Sequence, residues 1–134
     1  VVGRPWVDLD VPGWKGKPLA ETRIYPLIGE DLQLENGVFI IWRATCPVCA
    51  ELLEIFATTD DGSRDVVLIE LSDPHADESD EHGEGAKVHV LPEGSHVKRI
   101  RLPDDTDWLV TPPAWIEVED GIVTRVVEGD NPLR

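Results

Sequence analysis

The first sustained apolar run along the chain is Gly37-Val38-Phe39-Ile40-Ile41-Trp42, set behind the turn signal Glu35-Asn36-Gly37. Its β-branched and aromatic residues are continuous rather than alternating, which predicts a central strand buried on both faces. After the link Arg43-Ala44-Thr45 the period changes. Cys49, Leu52, Leu53 and Phe56 fall at relative positions 0, 3, 4 and 7 and form one face of a helix over 46–58. Thr45 is placed to cap that helix, and Pro47 suits its first turn, where a missing N–H has no intrahelical partner to lose. Asp60-Asp61-Gly62 ends the helix, and Val66-Val67-Leu68-Ile69-Glu70-Leu71 reads as a second buried strand. Strand, helix and strand at this spacing predict a right-handed parallel βαβ unit.

The flanking segments carry weaker patterns. Residues 1–36 are rich in proline, glycine and charge and show no sustained period. They read as an irregular lead-in packed on a domain spanning 37–134, with Trp6 and Trp14 as apolar anchors and a short helix from Pro18 to Tyr25. From Ser72 to Ala86 the chain is acidic without a basic residue, which suggests a loop or a frayed helix. The alternations Val88-His89-Val90 and His96-Val97-Lys98-Arg99-Ile100-Arg101 predict short strands joined through Pro92-Glu93-Gly94, with a polar turn at Asp104-Asp105-Thr106-Asp107. Ala114 to Val118 and Ile122 to Val127 flank Glu119-Asp120-Gly121, whose Asp-Gly pair predicts an antiparallel hairpin. The expected class is α/β around a mixed sheet.

Composition narrows the possible partners. With 41% hydrophobic and 29% charged residues in 134, one domain with a real core is expected. The 27 acidic against 12 basic residues give a net charge of -15. That balance argues against nucleic acid, whose binding needs clustered cations, and against anionic membrane surfaces; a solvated acidic face is the simplest reading. No run approaches the ~20 apolar residues of a bilayer span. The chain lacks methionine and opens at Val1, so a removed start, and a membrane tether ahead of it, are compatible with the sequence. A monomer is expected.

Only two cysteines occur, Cys46 and Cys49, and a bridge across so short a loop stabilises little. Reactivity explains the pair better than stapling. A thiol attacks as thiolate, and a helix N-terminus lowers its pKa through unpaired N–H groups and the helix dipole. Cys46 occupies that place and is the expected nucleophile; Cys49, one turn further in, would resolve the mixed disulfide. Two other readings remain open. Two cysteines at this spacing also make half of a zinc site, which needs two further ligands, and His75, His82, His89 and His96 recur every seven residues without a helix to align them. A purely structural pair is the third reading.

The segment Phe39-Ile40-Ile41-Trp42-Arg43-Ala44-Thr45-Cys46-Pro47-Val48-Cys49, together with Thr111-Pro112-Pro113-Ala114-Trp115-Ile116, resembles the thioredoxin superfamily. The resemblance implies a thioredoxin-like three-layer α/β fold, a central mixed β-sheet with flanking helices. It also implies a thiol-disulfide oxidoreductase that needs no cofactor and acts on protein thiol or disulfide substrates with a redox partner protein. In that family a cis proline beside the cysteines presents backbone groups to an extended substrate. Pro113 is the expected one, eight residues before Gly121, with Pro112 as the alternative and Thr111 lining the same groove. Trp42 corresponds to a tryptophan packed beneath the active-site turn.

There are departures from the pattern. Thr45 stands where thioredoxin has a second tryptophan. Ile40 replaces a buried acid, a role that Glu70 could take over. Val48 offers no side-chain donor or charge, so a moderate pKa depression and a potential no more oxidising than about -150 mV are expected. The Cys-Pro-x-Cys form is similar to that of membrane-tethered thioredoxin-like proteins of cytochrome-c maturation and methylamine utilisation, which implies an extracytoplasmic, periplasmic or cell-envelope setting. The alternative within the same resemblance is a metal-binding or chaperone module that uses the cysteines as ligands.

Overall fold

The apolar run behind Gly37 becomes the middle of a sheet because both of its faces find cover. The structure, a computed structural model, describes residues 6–29, 32, 34–71, 88, 90–103 and 106–133. Its strands are β1 (Trp6–Asp8), β2 (Gly37–Arg43), β3 (Asp65–Leu71), β4 (Val97–Arg101), β5 (Asp107–Leu109), β6 (Ala114–Glu119) and β7 (Ile122–Glu128), and its helix is α1 (Pro47–Thr59). Five strands form a mixed sheet in the order β4-β3-β2-β6-β7. The first three run parallel, β6 is antiparallel to β2, and β7 is antiparallel to β6. The protein is thus mixed α/β, as the pattern predicts.

Alternation along β2 and β3 divides the core in two. On one face Val38, Ile40, Trp42, Val66, Leu68 and Trp115 pack against Cys49, Leu52, Leu53 and Phe56 of α1. Phe56 meets Trp115 edge-on, with ring centroids 5.4 Å apart. On the other face Phe39, Ile41, Val67, Ile69 and Leu71 are covered by Leu9, Val11, Trp14, Leu19, Ile24, Ile28 and Leu32. Residues of the lead-in from Leu9 to Leu32 thus supply the cover on this side of the sheet. Trp14 is buried and its indole N–H donates to the Leu9 carbonyl at 2.7 Å, whereas Trp6 is 66% exposed and anchors nothing.

The expected helix from Pro18 to Tyr25 is replaced by two 3-10 turns, Leu19–Glu21 and Tyr25–Leu27. Thr22 breaks it: the residue is extended, and its hydroxyl takes the Leu19 carbonyl that a continuing helix would use. Val88 and Val90 belong to no strand, although the Val88 N–H is tied to the Ala44 carbonyl at 2.8 Å. His75, His82, His89, the acidic stretch 72–86, and Asp104 and Asp105 lie outside the described residues. His96 pairs through Nε2 with the Asp60 carboxylate at 2.5 Å, joining the end of α1 to the entry of β4.

Both lateral edges of the five-stranded sheet are marked. Along β7, the lead-in pairs with the strand: the Gly16 N–H donates to the Val123 carbonyl, the Val123 N–H to the Lys17 carbonyl and the Leu19 N–H to the Gly121 carbonyl. On β4, the opposite edge, Lys98, Arg99 and Arg101 are exposed. A small parallel pair, β1 with β5, stands apart from the main sheet. The hairpin forms as predicted, with left-handed Asp120 (φ 53°) and Gly121 (φ 77°) making the two-residue turn.

Candidate functional site

The site forms where β2 stops and α1 begins. Arg43 ends the strand, the Cys46 N–H donates to the Arg43 carbonyl at 3.2 Å, and the Ala50 N–H donates to the Cys46 carbonyl at 3.0 Å as the first helical bond. Cys46 itself is the N-cap, with extended backbone, and its Sγ accepts the Cys49 N–H at 3.1 Å. The expectation that Thr45 caps the helix is corrected by this bond. Thr45 lies one residue too early, in the half-buried turn, and a cap's acceptor must reach the N–H two or three residues on. Pro47 takes the first helical position and is exposed; Val48 is half-buried.

Burial separates the two sulfurs, both of which are free thiols: Cys46 is half-buried and Cys49 is fully buried in the α1 face of the core. The Cys46 thiol is held down at about 6, first by its hydrogen bond with the Cys49 thiol, then by the backbone N–H groups of Cys49 and Val48 and by the Arg43 charge, while partial burial opposes them. The Cys49 thiol is pushed up, chiefly by the same hydrogen bond and by burial. One sulfur is thus prepared as a thiolate at neutral pH and its neighbour is kept protonated.

The opposite wall comes from the segment before β6. The peptide bond between Pro112 and Pro113 is cis, and Pro113 is buried. The Cys46 thiol donates to the Pro112 carbonyl at 3.7 Å, which joins two segments 66 residues apart. Thr111 is exposed, and its N–H donates to Glu128 Oε2 at 2.8 Å. No family model, curated protein or solved structure matches the chain.

The structure thus brings Cys46, Cys49, Pro47, Val48, Pro112 and Pro113 together, with Trp42 packed in the same cluster below and Thr45 in the turn. Glu70 is half-buried on β3 opposite Trp42, and it is not among the chief influences on either thiol. Arg43 is the residue that motif reasoning passes over. Its charge favours the thiolate of both cysteines, and the signal for it was a basic residue three positions before Cys46. Trp42 Nε1 and Arg43 Nε are buried without a hydrogen-bond partner among the described residues. Among the described residues no three His, Cys, Asp or Glu side chains cluster as metal ligands, and no helix is long and apolar enough to cross a membrane.

Proposed function

We propose that the chain is a thioredoxin-like thiol-disulfide oxidoreductase in which Cys46 attacks and Cys49 resolves. The observation that carries this reading is the asymmetry of the pair: a half-exposed sulfur that accepts a helix N-terminal N–H, backed one turn later by a fully buried thiol. In the first step the Cys46 thiolate forms a bond to one sulfur of a substrate disulfide, the substrate S–S bond breaks, and the departing thiolate takes a proton from solvent. In the second, with Cys46 bonded to substrate and no longer an acceptor for the Cys49 thiol, Cys49 passes its proton to solvent and its sulfur attacks Cys46. The Cys46–Cys49 disulfide forms, the second substrate thiol leaves, and two electrons have passed to the substrate. A dithiol reductant restores the pair.

The layers on both faces of the sheet and the cis bond before Pro113 support the thioredoxin-like arrangement. The same reading sets the chain in an extracytoplasmic compartment, where protein disulfides persist. The test is thiol counting in graded dithiol redox buffers, with and without zinc. A single two-electron transition that zinc leaves in place is expected, together with mixed disulfides that accumulate on Cys49→Ser and none on Cys46→Ser. Stoichiometric zinc uptake that abolishes the transition, or trapping through Cys49, would defeat the assignment.

A further inference from the structure

Strand addition against an edge draws on both kinds of backbone group, an N–H to give and a carbonyl to receive. The wall facing Cys46 lacks the first kind. The Thr111 N–H is already given to Glu128 Oε2 at 2.8 Å, and neither Pro112 nor Pro113 has an N–H. The Pro113 carbonyl accepts from the Gly129 N–H at 2.8 Å. From Ala114 onward the strand is enclosed between β2 and β7. Among the described residues of this wall, the Pro112 carbonyl, 3.7 Å from Cys46 Sγ, is the backbone group that faces the sulfur.

Among the described residues, that carbonyl has a donor only while Cys46 carries its proton. Ionisation of the thiol removes the S–H and leaves the oxygen able to accept an amide from an incoming segment. The step that arms the sulfur therefore also opens the one docking point beside it.

Resting on the oxidoreductase reading, we propose that substrate segments dock at 111–113 through a single backbone hydrogen bond, given to the Pro112 carbonyl. The site then favours extended peptide disulfides over small or compact ones by the worth of one bond only. A linear segment gains one bond where a two-bond edge would supply a second, and the absent bond corresponds to about three- to ten-fold in apparent affinity.

The test uses Cys49→Ser, so that Cys46 reacts once. Two second-order rate constants are compared: one for bis(2-hydroxyethyl) disulfide, one for a linear hexapeptide whose single cysteine carries 2-mercaptoethanol as its disulfide partner. A peptide-to-small ratio no greater than about ten is expected, the worth of one bond, and adding Pro112→Ala, which restores an N–H, should raise that ratio by about three- to ten-fold. With Pro112 unaltered, N-methylation of the amides flanking the peptide cysteine should slow the peptide by a similar factor, because the one donor is gone. A ratio above about ten in the Pro112 chain, a ratio that Pro112→Ala leaves unchanged, or indifference to N-methylation would each overturn the proposal. Turnover of the parent chain with dithiothreitol separates the two readings. The expected ratio without turnover keeps the docking geometry and removes the oxidoreductase, whereas a Cys46 that reacts with neither disulfide removes both.

Discussion

At the scale of single residues, the reactivity of Cys46 depends on who gives it hydrogen bonds. The Cys49 thiol and two backbone N–H groups favour its charged form, and Arg43 adds a Coulombic pull. Because the thiolate is the form that reacts, alkylation by iodoacetamide should rise with pH through a midpoint of about 6, well below the usual 9.0. Cys49→Ala, which removes the largest favourable contribution, should move that midpoint upward, and Arg43→Gln should move it upward by less. A midpoint near that of an ordinary thiol in the parent chain would contradict the geometry. The same depression favours the folded chain above the usual thiol pKa and is lost as pH falls through about 6, while the raised Cys49 thiol acts oppositely and weakens the fold above about 9. The cysteine spacing and the proline at the first helical position were legible because both are local signals. The cap was not, since a sulfur competes poorly in any ranking of capping side chains and Thr45 outranks it on chemistry alone. The setting of Glu70 was not legible either: a carboxylate next to an apolar run gives no sign of which groups its strand neighbours bring near.

At the scale of elements, the hairpin turn is where local sequence and tertiary contacts agree. Gly121 donates its N–H to the Glu35 carbonyl at 2.8 Å and accepts from Leu19 at 2.7 Å, and Asn36 Oδ1 receives the Asp120 N–H at 3.1 Å. Nothing lies within 4 Å of a Cβ built on Gly121, so Gly121→Ala tests the left-handed backbone alone. A loss of about 1 kcal/mol in denaturant unfolding is expected, and an unchanged midpoint would show that the turn relaxes at no cost. Long apolar runs such as β2 and β3 were readable from pattern because each residue repeats the same message. The three-residue strands β1 and β5 were not: three positions cannot display a period, and Trp6 pairs with Asp107, a partner about a hundred residues away. The turns at Leu19–Glu21 and Tyr25–Leu27 escaped for another reason. A helical spacing of apolar residues also fits a 3-10 turn, and the extended backbone of Thr22, which separates the two turns, has no trace in that spacing.

At the scale of the whole molecule, the strand buried on both faces demanded a second covering layer, but the pattern alone did not say which segment provides it. The lead-in does so through isolated side chains on irregular backbone, a form of packing that leaves no periodic trace. Its seven fully covered residues, from Leu9 to Leu32, each represent about 1.5–3 kcal/mol of apolar burial. Together that is about 10–20 kcal/mol, of the same size as the ~5–15 kcal/mol by which a domain is stable. A chain begun at Gly37 should therefore lose cooperative unfolding and bind an apolar dye, and a sharp transition at the parent's midpoint would refute the shared core. The lead-in has one more effect, through its pairing with β7. Fibrous assembly by lateral addition requires an end that offers free rungs and a matching end that accepts them. Here residues 16–19 occupy the first rungs of one flank, at Ile122 and Val123, and the other flank would set Lys98, Arg99 and Arg101 of one copy beside the same cations of the next. Lateral growth of the sheet is thus hindered at the start of β7 by the lead-in and along β4 by charge.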